Sequence, residues 1–505
     1  MHTFVSTALG KGARLILALA VPALAGFAQT PSLTTLYSFA GGLSGEYPSA
    51  GVIFGTGANS SNLFGTTPYG GNSACAGGCG TVYQLTPGTT WSETAIYTFQ
   101  GGTDGAYPSG ALTAGANGVL YGVTAGGGSM GNGTVFQLTP PAQAGGAWTE
   151  TVLYSFQGIA TGGVSVSGTT VSSAAGTPFV TGSTWAGSTL YIKGCTPGGC
   201  TNGAYTIASV ESSSSLTLTT SAGTQTGVRY WVNAAPAGPW AGWPDGNGPQ
   251  GTLTLLPNGK LYGATFGGGT SSAGAVFQLT PPKKSGPWSE SVIYNLGGGK
   301  YGSGPESGVI VNKGNLYGAT CCGTVGGTVF QLTPPATKGG AWSNKTLYTF
   351  ASYSAGAFPF GGLVIDGNGV LYGTTEAGGA SGAGIVFSLT APAQQGKQYT
   401  LKTIHAFTNG NDGGAPYGNL ILGTGGVLYA TVTAGCDYGA GGVLQFTPPA
   451  TQGGAWTESV LYSFTGANDG SQPFAGVALG SNNALYGTTT FDGVAGYGTV
   501  FELMP

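Results

Sequence analysis

Apolar residues along this chain come in short runs separated by glycine-rich or proline-containing stretches. Within a run they alternate with small or polar residues, and Val, Ile, Thr, Tyr and Phe dominate. That is the pattern of half-buried β-strands. The runs recur in sets of four. In one set, Gly361-Gly362-Leu363-Val364-Ile365 precedes the turn Asp366-Gly367-Asn368-Gly369 and then Val370-Leu371-Tyr372-Gly373-Thr374-Thr375. A glycine-rich spacer leads to Gly384-Ile385-Val386-Phe387-Ser388-Leu389, and a Pro-containing spacer to the run 399–407.

The second run has seven versions, with aromatic residues at 64, 121, 262, 317, 372, 429 and 486. Their spacings are 57, 141, 55, 55, 57 and 57 residues. A fixed period of this size signals a repeat architecture. Four antiparallel strands in each of seven repeats predict an all-β fold, a seven-bladed β-propeller with four-stranded blades. The chain enters the repeats on a lone fourth run, 34–39, and stops on a lone third run, 498–503. Pairing these two would complete the last blade and hide an open edge. The single long gap marks an insert at 158–238 with strand-like runs at 164–166, 189–192, 205–210, 215–219 and 228–232. The expected organisation is a signal segment at 1–28, blades over 32–157, a small β module at 158–238, and further blades over 239–505. Strand parity then puts the insert and the loops after the second strands on one face.

The unit Leu-Tyr-Gly-Thr-Thr, a Gly-rich spacer, Gly-Thr-Val-Phe-x-Leu and then Leu-Tyr-Ser-Phe resembles the GloVer (Gloeo–Verruco) tandem-repeat family of exported bacterial proteins. The likeness covers nearly all of 34–503 except the insert. It implies a repeat scaffold and no established activity or catalytic residues. Members carry varied C-terminal anchors; here Pro505 follows the last run by two residues, so release is expected rather than anchoring.

Composition narrows the function classes. Gly accounts for 100 of 505 residues and charged residues for only 6%, which suits tight turns between short strands and argues against disorder. Lys11 and Arg14 precede the apolar run 15–25, and Ala23, Ala25 and Ala28 offer cleavage sites, as in an export signal. Without those two cations the chain has 11 basic and 16 acidic residues, a net of −5, which is no footprint for nucleic acid. No other apolar segment is long enough to span a membrane. Disulfides fit an exported chain: Cys75 with Cys79, Cys195 with Cys200, and the adjacent Cys321 and Cys322 are the candidates, with Cys436 left over.

Catalytic groups are scarce. Beyond the leader the one His, His405, occupies a slot that is Tyr in other repeats, so a Ser/His/Asp or Cys/His arrangement has nothing to use. Glu93, Glu150, Glu290 and Glu458 recur two residues after a Trp and read as structural. The non-repeated acids Glu46, Glu306, Glu376, Asp437 and Asp492 are the candidates for a carboxylate pair at the channel mouth. Asp104, Asp412 and Asp469 recur before Gly; they suit Asp-Gly turns and equally a calcium site, the one cofactor in view. Tyr47, Tyr107 and Phe358 precede a proline, Tyr417 and Phe474 follow one, and Trp243 comes close to the equivalent place. These six could form a stacking platform for sugar rings or a partner chain. Three readings stand: a secreted, monomeric, non-enzymatic propeller binding a glycan or surface protein; a polysaccharide lyase or glycoside hydrolase; or an envelope component without ligand.

Overall fold

A computed structural model describes residues 30–505 apart from 130, 144, 157–163, 174–188, 194–202, 213–214, 234–244, 272, 324–325, 338, 395–397 and 452. The export segment, Cys195, Cys200 and Trp243 lie outside the described residues. The fold is all-β. The repeats form seven antiparallel sheets, six of four strands and one of five. The first runs Ile53–Phe54, Leu63–Thr67, Thr81–Thr86, Ser92–Thr98, each strand pairing with the next. The last sheet takes strands from both ends: Ser32–Ser38 pairs with Thr499–Met504, which continues to Leu485–Thr489 and Ala478–Leu479.

The Gly of each Leu-Tyr-Gly-Thr-Thr run explains how the middle strands pack. It lies opposite the aromatic of the third strand, as Gly373 does Phe387. A Cβ on Gly373 would stand 2.6 Å from Phe387 Cζ, and one on Gly122 2.4 Å from Phe136 Cζ. The ring needs the missing side chain. In the sixth repeat Ala430 replaces the glycine, and its partner is the smaller Leu444. The two changes compensate, because total volume at the contact is what a packed core conserves.

Sheets meet through the neighbouring aromatic. Phe64 contacts Trp148 at 5.8 Å, Tyr121 contacts Trp288 at 6.4 Å, Tyr262 contacts Trp342 at 6.2 Å, and Tyr372 contacts Trp456 at 6.0 Å. In each case the Trp belongs to the following sheet. Trp91 of the first sheet packs into the cluster that holds Tyr486 of the last. The outermost pairing of every sheet carries a register shift, a bulge that twists the exposed edge away from foreign strands.

Between the second and third sheets, Val164–Ser167, Thr170–Ser173, Thr189–Lys193, Gly203–Ser212, Ser215–Leu218 and Thr224–Asn233 pair among themselves as a closed barrel. The polar strand Thr170–Ser173 is absent from the expected runs, since Thr-Val-Ser-Ser carries one apolar residue and no alternation. Among the described residues no helix is long and apolar enough to cross a membrane.

Candidate functional site

The connection entering each sheet contains an X-Pro pair whose first residue has a left-handed backbone. The residues are Tyr47, Tyr107, Gly248, Gly304, Phe358, Ala415 and Gln472, with φ between 52° and 64°. Glycine takes this conformation freely; the other five are strained and need outside support. The support is a hydrogen bond to the preceding sheet. Tyr107 N–H donates to Cys79 O (2.9 Å), Gly248 to Asn132 (2.8 Å), Gly304 to Ala273 (3.0 Å) and Phe358 to Gly326 (2.7 Å). Ala415 donates to Ala383 (2.8 Å), Gln472 to Ala440 (2.9 Å), and Tyr47 of the first sheet to Tyr497 of the last (3.0 Å). Every acceptor lies two residues before the third strand of its sheet. The circuit therefore returns to its start.

Each proline then delivers the following residue to one cavity of about 650 Å³. Phe360, Tyr417 and Phe474 occupy adjacent places on its wall, and Ser49, Ser109, Gln250 and Glu306 occupy the others. One side of the ring is aromatic and the other polar. The aromatic side continues outward in ring-to-ring contact. Phe358 stacks on Phe360 (6.2 Å), Phe360 on Tyr417 (4.8 Å), and Tyr417 meets Phe474 edge-on (5.3 Å). Phe474 meets Phe491 (6.4 Å), Phe491 meets Tyr47 (5.5 Å), and Tyr69 joins Tyr47 (6.2 Å) to Tyr107 (5.8 Å). Five of the six expected aromatics thus share one arc. Sequence reasoning missed Phe360, Phe491 and Tyr69, and it treated residues before and after proline as equivalent. Alignment on the prolines would have found Phe360.

Among the non-repeated acids, Glu306 lines the cavity, and Tyr417 Oη donates to its Oε2 at 2.6 Å across 111 residues of sequence. Burial, chiefly, and the nearby Glu376 carboxylate raise the Glu306 pKa, against the opposing Tyr417 hydrogen bond. Burial also raises that of Glu376. Burial, then the bond to Glu306 and the two carboxylates, push the Tyr417 phenol far up, so it stays a donor. The other three acids stand apart from this pair. Glu46 accepts from Gly42 N–H, Asp437 from Ser463 Oγ, and Asp492 from Ser471 Oγ.

The sequence model of the Gloeobacter/Verrucomicrobia repeat matches residues 26–194 and 240–444. The chain belongs to that family. The match runs into the barrel as far as 194 and stops before the last repeat. No curated protein matches this Gloeobacter/Verrucomicrobia repeat chain. Among solved structures it is similar to a protein of unknown function from Dyadobacter fermentans: 11% identity, TM-score 0.35, 94% of this chain and 99% of that one. It is also similar to a putative 6-phosphogluconolactonase from Bacteroides uniformis: 14%, TM-score 0.31, 79% and 95% covered. A Trypanosoma rangeli sialidase in complex with sialic acid aligns at 9% identity and TM-score 0.33, over 85% and 58%.

Elsewhere the Gloeobacter/Verrucomicrobia repeat uses its polar groups internally. His405 bonds Asp412 at 3.1 Å, as Tyr97 does Asp104 (2.6 Å) and Tyr462 does Asp469 (3.0 Å). Each of these aspartates also accepts a backbone N–H of its own loop, from Gln100, Thr408 and Thr465. They serve three separate turns, and no group of three metal-ligating side chains assembles among the described residues. The repeated glutamates lie between outer strands. Burial lifts Glu93 to about 7; burial and then a nearby aspartate lift Glu150 to about 7 and Glu290 to about 8. Oε1 of each, and of Glu458, is buried without a hydrogen-bond partner. Cys75–Cys79 and Cys321–Cys322 are disulfides, and Cys436 is free and buried.

Proposed function

We propose that this chain is an exported, monomeric β-propeller of seven blades that binds a glycan at one end of its channel and does not transform it. The blade count is supported by the circuit of seven inter-sheet hydrogen bonds, which leaves no repeat without neighbours. Export is supported by Lys11 and Arg14 ahead of the apolar run 15–25.

The observation that carries glycan binding is the half-aromatic ring around the cavity, extended by the Phe358-to-Tyr107 arc. A pyranose has C–H faces that pack on ring faces and hydroxyl edges that need donors and acceptors. Phe360, Tyr417 and Phe474 serve the first requirement; Ser49, Ser109, Gln250 and Glu306 serve the second. The test is retention of the full chain on insoluble polysaccharides and oligosaccharide arrays. Tyr417→Ala should weaken retention about 30-fold, the cost of a buried aromatic anchor. Trp342→Phe, at the outer edge, should leave it unchanged. Equal retention of both variants, or none by the parent chain, refutes the proposal.

One observation favours an enzyme instead: burial, and after it the neighbouring Glu376 carboxylate, raise the pKa of Glu306, as the acid of an acid–base pair requires. Reducing ends or unsaturated sugars appearing over time, and lost in Glu306→Gln, would establish that reading.

A further inference from the structure

The charge inventory of the cavity narrows the class of sugar. Among the described residues its wall contains one carboxylate, Glu306, and no Lys, Arg or His. Tyr417 takes Oε2, while Oε1 has no hydrogen-bond partner among the described residues. No Lys, Arg or His among the described residues pairs with Glu306. A second carboxylate, Glu376, is near enough to act electrostatically on the first. A partly buried carboxylate with a free oxygen and no counter-ion is costly to keep ionised, and an ammonium bound there would remove the cost. The adjacent aromatic wall adds its own preference, because ring faces attract cations.

We propose that the cavity recognises a glycan bearing free amino groups, with a hexosamine ammonium against Glu306 Oε1 and its pyranose ring against the Phe360–Tyr417–Phe474 wall. This rests on the reading that the channel mouth binds carbohydrate and adds the ligand's charge to it. Uronates, sialic acids and phosphorylated sugars are disfavoured, since each would place an anion beside two carboxylates with no cation to receive it.

The experiment is calorimetric titration of the full chain with three oligosaccharides of equal length: β-1,4-linked glucosamine, its N-acetylated counterpart, and galacturonate. The glucosamine oligomer should bind at least about tenfold tighter than the acetylated one, as a charge-assisted hydrogen bond implies. Galacturonate should show no binding. Glu306→Gln should collapse the glucosamine preference to about twofold or less, and Glu376→Gln should shrink it by a smaller factor. Thermal melts check that both variants are folded. Equal affinity for glucosamine and its acetylated form in the parent chain overturns the amino-sugar assignment while leaving glycan binding intact. A preference that survives in Glu306→Gln also overturns it. Failure of all three sugars to bind sinks both proposals together.

Discussion

Around the cavity, seven prolines hold seven equivalent backbone positions, yet the residue after each is Ser, Ser, Gln, Glu, Phe, Tyr or Phe. At the outer edge the reverse holds. There Trp recurs at 91, 148, 288, 342 and 456, and Glu at 93, 150, 290 and 458. Both regions descend from one repeat and both use its backbone identically. The difference lies in which side chains are free to differ. Contacts between neighbouring sheets must be made in every repeat, so the edge repeats; on the proposed reading a ligand is met once, so the residues around the cavity need not. The edge also has the larger acid shifts, with Glu290 lifted to about 8. Perturbed acids are often a pointer to function. Here they accompany packing, and repetition is the better guide.

The comparison is broken most sharply by emptying the mouth. Tyr417→Ala combined with Phe474→Ala should lower glycan affinity by two orders of magnitude or more, with about 2 kcal/mol lost per anchor. Its melting temperature should stay close to that of the parent. At a repeated position the effects exchange places. Gly373→Ala should destabilise the fold by about 1–3 kcal/mol, since its Cβ meets Phe387, and Phe387→Leu should restore most of the loss. Urea unfolding of both single variants and the double reads the coupling, and additivity would contradict the packing account.

The edge acids sharpen the contrast through pH. Glu290 has a folded pKa raised from 4.5 to about 8, chiefly by burial, so the folded state binds the extra proton. Its stabilising contribution is present below about 4.5 and is lost as pH rises through about 8. Glu93, Glu150 and Glu458 act in the same direction. Glu290→Gln should flatten the fall in melting temperature between pH 5 and 9 and leave glycan affinity alone. The smallest effect is expected at Cys321–Cys322. There the N–H groups of Cys321 and Cys322 donate to Gly304 O and Ser303 O, both at 3.1 Å, beside the loop that carries Glu306. Reducing this disulfide should weaken glycan binding by about twofold through looser support of Glu306.

Much of the architecture was legible because the same small set of residues has to recur: Gly under an aromatic, Thr after it, Trp between sheets. The compensated pair Ala430 and Leu444 was visible in the sequence as two separate departures, and only the strand register joins them. The site was half legible. X-Pro pairs with aromatics drew attention to the loops that line the cavity, but the left-handed residue before proline aims elsewhere than the residue after it. Phe358 therefore stood in for Phe360. The proximity of Glu306, Glu376 and Tyr417 was not readable, since they come from loops of three different sheets and share no sequence signal.

The most direct test is hydrogen–deuterium exchange of the full chain with and without the glucosamine oligomer. Binding at the channel mouth predicts new protection in the loops 357–362, 414–419 and 471–476, with outer strands such as Ser92–Thr98 unchanged. Protection confined to the barrel strands or the outer edge, with those three loops unaltered, would contradict it.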